Sequence, residues 1–186
     1  MSLTPSKMLA LGTPAPDFSL RDTVSGEVKS LNNLKSIKGT MVMFICNHCP
    51  YVIHINEKLV EIANTYMEKG ISFIAISSND AVKYPDDGPE KMALHAKENN
   101  YPFPYLYDKT QEVAKAYDAA CTPDFYLFDR NMNLAYRGRM DGSTPGNNIE
   151  NNGEDMIAAL DAVLANNKVF NNQMPSMGCN IKWKTD

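Results

Sequence analysis

Five consecutive apolar residues, Met41 to Ile45, run directly into Cys46-Asn47-His48-Cys49-Pro50, and from Cys49 onward the apolar positions change period. A continuous apolar run of this length reads as a central strand buried on both faces. Behind it Val52, Ile53, Ile55, Asn56, Leu59, Val60, Ile62, Ala63, Tyr66 and Met67 recur at helical spacing, and Gly70 stops the helix. A second apolar run, Ile71 to Ile76, follows. Strand, helix and strand in this order make a βαβ unit, which implies a parallel pair joined by a right-handed crossover. The chain is therefore expected to be α/β, with its C-x-x-C where a buried strand ends and an amphipathic helix begins.

The rest of the chain supplies shorter elements. Residues 1–15 read as irregular, Phe18 to Leu20 as a short strand, and Ser25-Gly26 as a turn. A polar loop from Ser77 leads to a helix over 89–100, a strand over 105–107 and a helix over 111–117. Phe125 to Phe128 is expected to pair antiparallel with Leu134 to Arg137 across the turn at 129–131, with a terminal helix over 154–165. Residues from about 166 to 186 read as a flexible Asn-rich C-terminal tail carrying Cys179 and the single Trp, Trp183. One domain over 1–186 suits this length, and a 44% hydrophobic content builds a core without a disulfide framework.

Charge excludes some classes of function. The net charge is -4 and no Lys/Arg cluster stands out, so no nucleic-acid groove is expected. No apolar run approaches the roughly 18 residues of a bilayer span, so no membrane association is expected. The N-terminus lacks the apolar stretch of a secretory signal, and the expected location is cytoplasmic unless an export signal has been removed.

The placement of the C-x-x-C matters more than its spacing. The thiolate is the reactive form of cysteine, and a helix N-terminus with its partial positive charge favours it. Cys49 stands where the helix begins, and Pro50 suits the first helical position because its missing N–H is not needed there. Two other readings stand beside a redox pair. Half of a zinc site would need a second pair of ligands, and only Cys121 and Cys179 remain as thiols. Two inert core cysteines are also compatible with this composition. Thr122-Pro123, ahead of the strand at 125–128, is either a cis X-Pro bond or an ordinary strand-opening proline.

Together these features resemble the thioredoxin superfamily, and more closely its redoxin branch of peroxiredoxins and TlpA/ResA-like oxidoreductases. Gly12-Thr13-Pro14-Ala15-Pro16-Asp17-Phe18-Ser19-Leu20, with Asp22 and Gly26, is similar to the opening of those proteins. The resemblance covers about residues 11–165 and is nearest to a peroxiredoxin-like group carrying C-N-H-C-P-Y-V. It implies a thioredoxin-like fold, a central mixed β-sheet flanked by helices with an N-terminal extension. It also implies thiol–disulfide exchange with protein or small-molecule thiols in cell redox homeostasis, with no cofactor and no resident metal.

The resemblance also suggests roles. By register Cys49 falls at the nucleophile position and Cys46 becomes the resolving partner, although the family's motif order would also allow the reverse. His48 between the sulfurs is a candidate to stabilise a thiolate. Thr122 and Pro123 match the cis-proline loop that packs against the cysteine pair. Cys121 is either a third redox thiol or a buried bystander, and Cys179 an alternative resolving partner if the tail folds back. The family's buried acid is replaced by Met43, so Asp80 is the candidate proton-transfer group and Asp141 a weaker one. Two alternatives follow from the same resemblance. A thiol-dependent peroxidase would act as an antioxidant on peroxide, although the expected peroxide-reactive position falls near Val52. A copper or other metal chaperone would use the cysteines with the distant His95.

Overall fold

The computed structural model describes residues 3–185. Its centre is β4 (Thr40–Phe44), wholly buried, flanked by β5 (Ser72–Ser77) in parallel and β8 (Asp124–Phe128) antiparallel. Beyond β5 lie β6 (Tyr105–Tyr107), β2 (Ser19–Asp22) and β3 (Val28–Ser30), and beyond β8 lies β9 (Leu134–Gly138). The result is a seven-stranded mixed sheet in the order β3-β2-β6-β5-β4-β8-β9.

Side chains alternate across a strand, so a strand that is apolar at every position must be covered on both faces. Met41, Met43 and Ile45 face one core layer, shared with α2 (Pro50–Glu68), α3 (Pro89–Glu98) and α5 (Glu154–Leu164). Val42 and Phe44 face the other, shared with Phe18, Leu31 of α1 (Leu31–Leu34) and Ala114 of α4 (Glu112–Ala116). An aromatic group of Phe44, Tyr117, Tyr126 and Phe128 fills that second layer with edge-on contacts.

Helix α2 buries Val52, Ile55, Asn56, Leu59, Ile62, Ala63 and Tyr66, while Ile53 is 55% exposed. Full burial of a Leu or Ile is worth about 1.5–3 kcal/mol, against helix propensities that differ by tenths. The packed stripe, rather than propensity, therefore fixes this helix in place. No helix of the described residues is long and apolar enough to cross a membrane.

The termini depart from the sequence expectation. A second sheet joins β1 (Leu3–Pro5), β10 (Met177–Asn180) and β7 (Cys121–Thr122) in antiparallel order β1-β10-β7. The segment expected to be a flexible tail is thus held between two strands, and part of the irregular N-terminal stretch is one of them. The strands have no more than four residues, too short for a readable alternation.

Candidate active site

The site is built where β4 ends and α2 begins. Cys49 is the N-cap of α2 and accepts the N–H groups of Val52 and Ile53 on its carbonyl, with Pro50 in the first turn. All four cysteines are buried and no disulfide joins them in this structure. Cys46 Sγ lies 3.3 Å from Thr122 Oγ1, and Cys49 Sγ lies 3.2 Å from the Thr122 carbonyl oxygen. The bond between Thr122 and Pro123 is cis. Thr122 therefore touches both sulfurs of the pair, and Pro123 follows it at the same turn.

The two thiols differ sharply. A hydrogen bond from the Cys46 thiol, opposed by burial and aided by the Cys179 thiol and the N–H groups of Val52 and Cys179, lowers Cys49 to about 5. Cys46 moves the other way, well above the usual range, because its proton is held toward Cys49, because it is buried, and because Asp87 is negative nearby. A Cys49 thiol would donate to the Thr122 carbonyl or to the Cys179 sulfur, but once Cys49 is ionised the Cys46 and Cys179 thiols and two backbone N–H groups can all donate to its sulfur. At neutral pH the geometry holds Cys49 as thiolate and Cys46 as thiol.

The acid beside the pair is Asp87, which sequence reasoning missed. It lies in a 3₁₀ turn (Pro85–Asp87) within the polar loop after β5 and is completely buried. Its carboxylate accepts the Asn47 N–H at 3.0 Å and the Asn79 side-chain amide at 2.7 Å. Asn47 also donates to the Asp86 carbonyl and accepts from Tyr105, so the cysteine loop is clamped to this turn. The available signal was the run Pro85-Asp86-Asp87-Gly88-Pro89, a turn at the carboxyl end of a central strand, where α/β sites gather. Asp80, the expected acid, caps its own turn by accepting the Val82 N–H instead. Asp141 is likewise committed to the N–H groups of Ser143 and Gly153.

His48 does reach the site. Its ring stacks on Tyr84 with centroids 6.2 Å apart, and Nδ1 lies 2.9 Å from Asp87 Oδ2. That approach is close but off the line of a hydrogen bond, since Nδ1 is buried without a directed partner. Cys46, His48 and Asp87 bring three ligand atoms within 4.8 Å of one another, one fewer than a structural zinc takes. His95 is not among them; its Nε2 meets the Asn56 side chain at 3.3 Å. His54 pairs with Ser143.

The remaining cysteines separate clearly. Cys121 donates to the Pro123 carbonyl, and burial pushes its thiol far up, which suits a bystander. Cys179, on β10, lies with its Sγ 2.7 Å from that of Cys49. A cleft of about 270 Å³ opens beside Pro123, lined in part by Tyr51, His54, Met140, Ser143 and Met177.

A mixed sheet with a cysteine pair at a helix N-terminus, set against the residue that precedes a cis-proline, defines a thioredoxin-fold protein. The same architecture occurs in the thioredoxin domain of a thiol-disulfide oxidoreductase from Bacteroides vulgatus, with TM-score 0.59, 21% identity, and coverage of 70% of this chain and 89% of that one. The sequence model of the AhpC/TSA family matches residues 11–137, and the chain belongs to that family. Thiol-disulfide oxidoreductase ResA from Geobacillus kaustophilus is 26% identical over 128 residues, 69% of this chain and 68% of that protein. A crystal structure of an uncharacterized conserved protein from the same species superposes with TM-score 0.98 at 55% identity, covering 100% of this chain and 98% of the other.

Proposed function

We propose that this protein is a thiol–disulfide oxidoreductase in which Cys49 is the nucleophile and Cys46 resolves the mixed disulfide. One observation carries the reading: Cys49 stands at the N-terminus of α2, where the Cys46 thiol and the N–H groups of Val52 and Cys179 face its sulfur, an arrangement that favours the thiolate on Cys49 and leaves the proton on Cys46. The relationship to ResA supports the reaction class.

The reaction follows from that arrangement. Cys49 thiolate attacks one sulfur of a substrate disulfide, the substrate S–S bond breaks, and the departing thiolate takes up a proton. Cys46 then gives up its proton and attacks Cys49 Sγ, which expels the second substrate thiolate. The substrate gains two electrons and leaves as two thiols, and the protein holds a Cys46–Cys49 disulfide. Run backwards, the same steps oxidise a dithiol. The cleft beside Pro123 suits a side chain of a polypeptide substrate, because its walls include Met140, Met177 and Tyr51.

The test is reduction of a disulfide-bonded test protein by the reduced chain. Wild type is expected to transfer two electrons per chain, and Cys49→Ser to transfer none. Equal activity in Cys49→Ser would overturn the proposal.

A further inference from the structure

The pair at Cys46 and Cys49 is not the only sulfur pair here. Cys179 Sγ is 2.7 Å from Cys49 Sγ, and a disulfide bond is about 2.05 Å long, so a small movement separates these atoms from bonding distance. The Cys179 N–H is also among the donors to the Cys49 sulfur.

This contact is built in by the strand that carries it. Cys179 pairs in register with Thr122 on one side and Leu3 on the other. Just before the strand, the Ser176 hydroxyl donates to the Pro123 carbonyl. Just after it, Ile181 donates to the Ala120 carbonyl, Lys182 to the Asn79 side chain and Lys184 to the Gln111 side chain. Cys179 is therefore anchored from both directions and only 6% exposed. A buried thiol fixed against the Cys49 sulfur is preorganised to attack it, at little entropic cost, once that sulfur is held in a mixed disulfide with substrate.

Resting on the reading of Cys49 as the nucleophile, we propose that Cys179 is a second resolving cysteine, so that Cys49 closes a disulfide with either Cys46 or Cys179. In the new step Cys179 loses its proton and attacks Cys49 Sγ of the mixed disulfide, and the substrate thiolate leaves with that proton. The product is a Cys49–Cys179 disulfide with the same two-electron balance. The two disulfides interconvert without any external reagent. Cys46 attacks Cys49 Sγ, the bond to Cys179 breaks, and the proton passes from Cys46 to Cys179. The Cys49–Cys179 form ties β10 covalently to the start of α2.

The experiment exposes the full-length reduced protein to oxidised glutathione, quenches with acid and an alkylating reagent, and maps tryptic peptides by mass spectrometry. Cys46 and Cys49 share the peptide 39–58, Cys179 lies in 169–182 and Cys121 in 116–130, so a Cys49–Cys179 bond appears as a crosslink between two peptides. In Cys46→Ser most chains are expected to carry the 39–58 to 169–182 crosslink, and Cys49→Ser to carry none. The proposal is overturned if Cys46→Ser keeps glutathione on Cys49 without the crosslink while Cys179→Ser still closes Cys46–Cys49. Exchange at the pair survives that outcome. If no variant nor wild type forms any disulfide at Cys49, both readings fall. Partly oxidised wild type gives a check that needs no variant to fold: it is expected to contain the Cys49–Cys179 crosslink alongside the internal one, and its absence there also overturns the inference.

Discussion

Gly178 lies so close to Thr122 that a Cβ added to it would meet the Thr122 carbonyl oxygen at 2.0 Å and the Pro123 nitrogen at 3.1 Å. Only a residue without a side chain lets β10 come near enough to β7 to place Cys179 on Cys49. Gly178→Ala is expected to push β10 outward, remove the Cys49–Cys179 crosslink and leave the Cys46–Cys49 bond intact. The overpacking should cost about 1–3 kcal/mol, read as a lower denaturant midpoint. A crosslink yield equal to wild type would show that Gly178 does not set this approach.

The thiolate has a pH signature. Cys49 is lowered to about 5 by its donors, Cys46 first, against an ordinary cysteine value of about 8.5. A depressed acid stabilises the folded form above the unfolded value, and that contribution is lost as pH falls through the folded value. The ultraviolet absorbance of the reduced protein should therefore show a thiolate titrating near pH 5 that is absent in Cys49→Ser. The stability of reduced wild type relative to Cys49→Ser should decline from about pH 8.5 toward 5. A titration near the ordinary cysteine value would contradict the site as described.

Asp87 is expected to be both structural and electrostatic. Asp87→Ala strands the Asn47 N–H and the Asn79 amide, and each unpaired group costs about 1–3 kcal/mol when buried. Asp87→Asn keeps the shape and one of the two acceptors and removes the charge that helps hold Cys46 up, so in the folded variant the Cys46 thiol should titrate lower and resolve mixed disulfides faster. Stopped-flow exchange at fixed pH measures this, and an unchanged resolution rate would count against the electrostatic role.

Behind the cis-proline, Asp124 and Arg137 form a fully buried ion pair at 3.1 Å, with Arg137 4.4 Å above the Tyr126 ring. Burial, partly offset by Arg137, pushes Asp124 up to about 6. A carboxylate raised on folding withdraws stability as pH rises from about 4 to 6. Asp124→Asn should flatten that part of the stability profile, whereas Arg137→Ala should cost about 3–5 kcal/mol by leaving a buried charge unpaired. Chemical denaturation across this pH window checks both.

Much of the fold was legible because burial is written locally. The run at 41–45 had to be covered on both faces, the stripe from Val52 to Tyr66 had to pack, and Cys49-Pro50 marked the helix start. The antiparallel pair expected over 125–128 and 134–137, two strand-length segments joined by a short turn, is observed at 124–128 and 134–138. The placement of Cys49 at a helix N-terminus, with Cys46 three residues before it, came from the same local signals. What lay outside their reach was the company these sulfurs keep. Asp80 and Asp87 stand in one polar loop, and nothing in its composition says which carboxylate turns toward Cys46. Strand β10 has four residues, one of them a glycine, and its partner β7 has two. Such segments bury too little periodic surface to announce themselves.

By itself, then, the sequence determined an α/β chain with a cysteine pair at the junction of a buried strand and an amphipathic helix. The tertiary structure decided that Asp87 clamps the loop and that Cys179, 130 residues from Cys49, meets it sulfur to sulfur. The physical reason is that hydrophobic period fixes which face of an element is buried, whereas an encounter between distant side chains depends on strand order, register and a backbone approach that only Gly178 permits.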